Sequence, residues 1–236
     1  MPAGQTVLTV GLLLAILLAS GCSRQTILVD HPASPWAVQV KKLQTIRSWQ
    51  IKARMAVRSR RKGGQATVRW KRINDQHELD LYGPFGSGRM LLRQNTDQAT
   101  LIDSKNNRFT GRSLQQLLYR RVGWPVPFSS LQYWIIGLPA PGTIRQQQWD
   151  EQGRLSRLQQ NGWKIQFSEY RKVDRYELPG RLQLDALPGT IPAIETDPSW
   201  LEDRPGGLEQ PLFRIKLIIR NWQLPETTAP ISTTNQ

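Results

Sequence analysis

The 236-residue chain contains a single cysteine and only two histidines. A lone thiol cannot close an internal disulfide, so the fold must be held by its core. The histidines, His31 and His77, are too far apart in sequence to suggest a metal pair. No cysteine cluster, H-E-x-x-H pair or G-x-x-x-x-G-K-[ST] phosphate loop is present. Gly86-Ser87-Gly88 lacks the G-x-S-x-G spacing of a nucleophile elbow. Acidic residues are scarce as well, 18 Asp and Glu against 32 Lys and Arg, and none form a paired constellation. An enzyme is therefore not expected, nor a cofactor or a metal, and His77 reads as a structural side chain. The formal net charge of +14 has two readings: attraction to an acidic partner (phospholipid, nucleic acid or protein) or simply solvated strand faces.

What is present begins with an export signal. An apolar run from Val10 to Ala19 ends in Ala19-Ser20-Gly21 and meets the cysteine, Cys22, before the chain turns polar. Such a run is too short to span a bilayer comfortably and reads as a signal peptide over 1–21. A cysteine after small residues resembles a bacterial lipobox, which implies cleavage before Cys22 and acylation of its thiol. The alternative is an ordinary signal with Cys22 as a chance thiol, or a buried N-terminal helix. Export also argues against nucleic acid as the acidic partner. No second apolar stretch approaches transmembrane length.

Residues 22–35 form an acylated N-terminus and polar tether on this reading. Residues 36–48 carry Trp36, Val40 and Leu43 at helical spacing, and from Trp49 the period changes to two. Ile51, Ala53, Met55 and Val57 alternate with polar residues, as do Ala66, Val68 and Trp70, which predicts a hairpin across Gly63-Gly64. Further strands are expected around Leu79 and Leu81, Met90 and Leu92, Ala99 to Asp103, 144–150, 154–159, 163–168, Leu182 and Leu184, and 213–222. Helices are expected over 113–121 and 129–137, the second capped by Ser129 or Ser130. Residues 187–211 read as a variable loop rich in proline and glycine, and 225–236 as a disordered tail. The sum is roughly nine to eleven strands with helices in the middle. The expected fold is mainly β: a curved antiparallel sheet forming a half-closed, unclosed barrel under a helical lid, spanning 36–224 around an apolar cavity. Most of the nine tryptophans belong to core or cavity on this scheme.

The segment Gly83-Pro84-Phe85-Gly86-Ser87-Gly88 places an aromatic side chain at a hairpin tip, where polar residues are usual. Phe85 either folds back onto the core or serves as a wedge into a bilayer or a partner's groove, with Arg89 and Arg93 placed to meet lipid phosphates.

These features together resemble the LolB family of outer-membrane lipoprotein receptors. The resemblance is carried by Trp70 and the Gly83-Pro84-Phe85-Gly86-Ser87 loop, then by Pro125-Val126-Pro127 before Ser130-Leu131. It continues through Trp134-Ile135-Ile136-Gly137-Leu138-Pro139, Asn161-Gly162-Trp163-Lys164-Ile165 and Ile215-Lys216-Leu217, in order from Trp36 to Trp222. It implies a receptor that accepts lipoproteins from the periplasmic carrier LolA and inserts them into the outer membrane. It also implies an apolar cavity for acyl chains, for which Met55, Trp70, Leu79, Leu81, Met90, Leu92 and Trp134 are the candidates. Pro84, Phe85 and Gly86 take the place of the family's membrane-insertion loop. Ser23 after Cys22, rather than Asp, implies delivery to the outer membrane, lipid-anchored and facing the periplasm. The expected partners are LolA, cargo acyl chains and outer-membrane phospholipid, with the receptor itself a monomer. The rival reading is a scaffolding lipoprotein that holds an envelope polymer or protein complex.

Overall fold

A computed structural model of the chain describes residues 35–59, 63–190 and 213–225. The signal segment, Cys22 and its tether up to residue 34, most of the 187–211 loop and the tail beyond residue 225 lie outside the described residues.

The period-two segments become strands because alternate residues bury. In β1 (Ser48–Ser59) Trp49, Ile51, Ala53, Met55 and Val57 are buried while the residues between them are exposed. β2 (Gly63–Ile73), β3 (Gln76–Tyr82), β4 (Met90–Gln94), β5 (Ala99–Ile102) and β6 (Arg108–Gly111) follow as a meander. The chain then forms α2 (Leu114–Val122) and α3 (Phe128–Trp134), preceded in sequence by α1 (Pro35–Leu43). Strands resume with β7 (Ile144–Trp149), β8 (Leu155–Gln160) and β9 (Trp163–Ser168). A separate two-stranded hairpin comes next, β10 (Arg171–Val173) and β11 (Tyr176–Leu178), and then β12 (Arg181–Ala186) and β13 (Phe213–Gln223).

Eleven strands make one sheet in the order β6-β5-β4-β3-β2-β1-β13-β12-β9-β8-β7, with every neighbouring pair antiparallel. β6 and β7 are its edges, so the sheet is not closed into a barrel. The segment between them must travel from one edge to the other. It does so through α2 and α3, which place Leu114, Leu117, Leu118, Leu131 and Trp134 in the core. One apolar cluster, drawn from Leu43 to Ile219, fills the space between sheet and helices. Ala33–Gln236 is a compact unit by itself, and this core lies wholly within it.

Three expectations change. The first helix stops at Leu43, before residue 48, because Thr45 turns the chain: its Oγ1 donates to the Lys42 carbonyl at 2.8 Å and meets the Tyr176 hydroxyl at 2.8 Å. Neither Ser129 nor Ser130 caps α3; Pro127 precedes it, and the Ser130 hydroxyl instead accepts from Asn161 Nδ2 at 3.0 Å. Ser113 does cap α2, accepting from the Gln116 N–H at 3.2 Å. Strands β6, β10 and β11 are additions. β6 is exposed along most of its length, and β10 and β11 are too short to display a period.

Candidate functional site

The loop after β3 is a built feature. Pro84–Gly86 forms a single 3-10 turn. The Gly83 N–H donates to the Ser87 carbonyl at 2.8 Å, and the Ser87 N–H and hydroxyl both donate to the Pro84 carbonyl, at 3.1 and 2.8 Å. A Cβ at Gly83 would lie 2.8 Å from Ser87 Oγ and 3.1 Å from the Ser87 carbonyl oxygen, so a larger residue here would push Ser87 out of this closure. Phe85 sits in the left-handed region at φ 57, ψ 23, and Gly86 follows at φ 79. A left-handed non-glycine residue costs about 1–2 kcal/mol. The turn that imposes this conformation carries the Phe85 ring off the core entirely: its relative exposure is 108 %. Of the two sequence readings the folded-back ring is thus absent. Arg89 and Arg93 are engaged within the chain, Arg89 in a two-pronged pair with Asp80 at 2.8 and 2.9 Å and Arg93 with Glu78 at 3.0 Å.

On the inner face of the sheet the candidate acyl-chain residues lie together. Register aligns Ile51, Trp70, Leu79, Leu92 and Leu101 in one cross-strand row, with Val68, Leu81 and Met90 in the next. Met55 lies further along β1, and Trp134 reaches the same cluster from the end of α3. All of the candidates are buried except Met90, which is half-buried against the cluster.

At the end of β3 away from the Phe85 loop, the inward row turns polar: Arg72 lies opposite His77, and His77 opposite Gln94. Here a cavity of about 300 Å3 opens between the sheet and the helical segment, with Trp70, His77, Gln94, Leu114, Phe128 and Gln132 in its wall. Its volume is at the lower end of the range for small-ligand sites. Trp70 is the candidate that lines it; sequence reasoning did not assign Gln94, Gln132 or His77 to it. The available signal was parity, since each polar strand residue continues the inward alternation of its own strand.

The polar row holds the cavity wall in place. Trp70 Nε1 donates to His77 Nδ1 at 3.2 Å, and Trp70 meets Phe128 edge-on with ring centres 5.5 Å apart. The Gln94 side chain accepts from the Leu114 N–H at 3.0 Å, which ties the start of α2 to β4. Arg121 at the other end of α2 donates to Asp103 at 2.7 Å. Arg72 is buried, bonds the Asn74 carbonyl at 2.7 Å and lies over the Tyr133 ring. Burial, reinforced by the Arg72 charge, lowers the His77 pKa to about 4.

That shift makes a prediction. His77 is normally half-protonated near pH 6.5, and its folded form resists protonation down to about 4. Its contribution is complete above pH 6.5 and is lost as pH falls toward 4. With partial solvent screening, about 1–2 kcal/mol of stability should disappear over this window. Thermal midpoints measured across it should fall more steeply for the native chain than for His77→Gln, and parallel curves would contradict the assignment.

Among the described residues no group of three or more His, Cys, Asp or Glu side chains is placed to hold a metal. No described helix is long and apolar enough to cross a membrane.

Comparison with known proteins places these features in a family. The family model described as Outer membrane lipoprotein LolB matches residues 47–222, from the end of the first loop to the end of the last strand. An outer-membrane lipoprotein LolB from Nitrosococcus oceani is 31% identical over 216 residues, covering 90% of this chain and 96% of that protein. One from Cellvibrio japonicus is 36% identical over the same length and the same shares. Among solved structures, a LolA superfamily protein from Nitrosomonas europaea is similar at 8% identity, covering 80% of this chain and 93% of that one, with a TM-score of 0.49. That likeness is too loose to add to the sequence relationship. The match to the family model and the identity across nearly the full length of its members make this chain a member of the LolB family of outer-membrane lipoproteins.

Proposed function

We infer that the protein is a lipid-anchored receptor that takes acylated lipoproteins from the periplasmic carrier LolA and inserts them into the outer membrane. The observation that carries this is the pairing, in a LolB chain, of a strained and fully exposed Phe85 with an unclosed sheet whose inner face is apolar. Cargo chains enter beside Trp70 and Phe128 and lie between the inner face and the α2–α3 segment. Met55, Leu79, Leu81, Met90, Leu92 and Trp134 meet them there as the segment lifts. Each methylene exposed to water costs about 0.8 kcal/mol, so chains pass from the carrier's cavity to this one without hydration. No nucleotide site is needed if each acceptor in turn, receptor and then bilayer, binds the chains more favourably. Pro84, Phe85 and Gly86 then disturb the bilayer for release. The acylated Cys22 holds the receptor at the membrane as a monomer facing the periplasm, and two or three chains on that residue anchor it firmly.

The test uses Ala33–Gln236, the unit with the complete core. Incubated with a carrier–lipoprotein complex, it should acquire the cargo, as read by co-purification. Cargo that stays with the carrier, together with binding to an envelope polymer, would favour the scaffolding reading.

A further inference from the structure

The outer face of the sheet concentrates positive charge in a way that strand pairing does not favour. Successive strand residues point to opposite faces, so Lys52, Arg54 and Arg58 of β1, Arg69 and Lys71 of β2 and Lys216 of β13 share the side away from the core. All are exposed. Register sets Lys52 directly opposite Arg69, and Arg58 directly opposite Arg214. Like charges opposite one another on one face weaken a strand pair. Elsewhere on this side several charges are matched, Arg89 with Asp80, Arg93 with Glu78, Arg214 with Asp185 and Arg181 with Glu169, while Arg157 of β8 and Lys164 of β9 are exposed without an ion pair among the described residues. Lys52, Arg54, Arg58, Lys71 and Lys216 have no ion pair among the described residues. The unmatched charge is therefore densest on β2, β1 and β13.

The composition of the patch selects its partner. Protein interfaces are built around aromatic or aliphatic anchors and are depleted of lysine at their centre. Between these cations the face offers Gln50, Ala56, Thr67 and Ile218, and the aromatic ring at its edge, Tyr82, lies under Arg69 with its centre 5.9 Å from the guanidinium carbon. Long, mobile cations without a fixed counter-charge suit a fluid array of phosphates. Position agrees. Tyr82, the last residue of β3 before the Phe85 loop, lies opposite Thr67, and Thr67 lies opposite Arg54. Arg54, Lys216 and Arg58 thus occupy the half of the face on the loop's side, and Lys71 the far half.

We propose that the outer face of β2, β1 and β13 docks on the phosphate headgroups of an anionic lipid surface, at the bilayer that Phe85 enters. This rests on the insertion reading and adds to it the headgroup charge that the receptor selects. A cation near an anionic surface contributes about 1 kcal/mol, or roughly five-fold in binding. Lys71 lies about 13 Å from the row of Arg54, beyond a Debye length of about 8–10 Å at physiological salt.

The experiment is vesicle co-sedimentation of Ala33–Gln236 with phosphatidylcholine alone or enriched in phosphatidylglycerol. The native unit should bind the anionic vesicles preferentially and lose that preference in high salt. Arg54→Glu with Arg58→Glu should weaken binding about 25-fold or more, and Lys71→Glu much less. Arg58→Glu also turns a like-charge pair with Arg214 into an opposite pair, so its thermal midpoint should hold or rise, which separates lost docking from misfolding. Equal binding to both vesicles, or full binding by the double variant, would overturn the proposal. In the first case an acidic protein becomes the occupant to consider. Cargo insertion by Phe85→Glu, measured in the same vesicles, reports separately on the insertion reading.

Discussion

Phe85→Glu is expected to abolish insertion of cargo into vesicles while leaving cargo acceptance from the carrier unchanged. The ring touches nothing that would be lost, because it is fully exposed and the loop closes through Gly83, Pro84 and Ser87. Burying a phenylalanine ring in an apolar phase contributes about 1.5–3 kcal/mol. Its removal alone should therefore slow insertion roughly ten- to one-hundred-fold, and a carboxylate adds a charge that resists the bilayer. Phe85→Gly separates the ring from the turn. At φ 57 glycine is unstrained, so this variant should be more stable by about 1 kcal/mol and still fail to insert. A stability gain combined with a functional loss identifies a strained residue retained for its work. Insertion by Phe85→Glu at the native rate would defeat the assignment.

The sheet was legible because its strands obey parity over long runs. Residues 49–57, 163–167 and 213–219 alternate cleanly, and each becomes a strand with one buried face. β6 escaped notice because it is an exposed edge strand whose Arg108, Phe109 and Thr110 carry no buried face to set a pattern. The hairpin of β10 and β11 turns through Asp174 in the left-handed region with three residues on either side, too few to show a period. Phe85 was legible as an anomaly, an aromatic at a turn. That it stands off the core needed the φ angle, which no spacing encodes. The candidate cavity residues were recognised as apolar and inward, and local alternation extends no further than that. Where the chain leaves open space depends on how α2 and α3 sit over the sheet, which Gln94, Asp103 and Gln160 fix from far along the sequence.

Gln160 carries the second large effect. It is fully buried on β8, two residues after the buried Leu158, where an apolar residue would continue the inward face. Its Oε1 accepts from Trp134 Nε1 at 3.1 Å and from the Ala140 N–H at 2.9 Å, while its Nε2 donates to the Ala140 carbonyl at 2.6 Å. One amide thus fastens both the end of α3 and the chain that follows it to the half of the sheet remote from β4. Gln160→Leu keeps the volume approximately and leaves three buried polar groups without partners. Each orphaned group costs about 1–3 kcal/mol, so with partial relaxation the variant should lose about 3–5 kcal/mol. Trp134→Phe removes one donor and part of a ring, and should cost less. The loss should also be local: amide exchange should accelerate first across Phe128–Ala140, the segment proposed to lift over incoming chains, before the central strands open. A lid released in this way should admit an apolar dye more readily than the native protein and hold cargo less tightly. Native-like exchange in Phe128–Ala140, or a change in denaturation midpoint equivalent to less than about 1 kcal/mol, would show that the helical segment is held by its apolar contacts alone, with Gln160 only satisfying its own polarity.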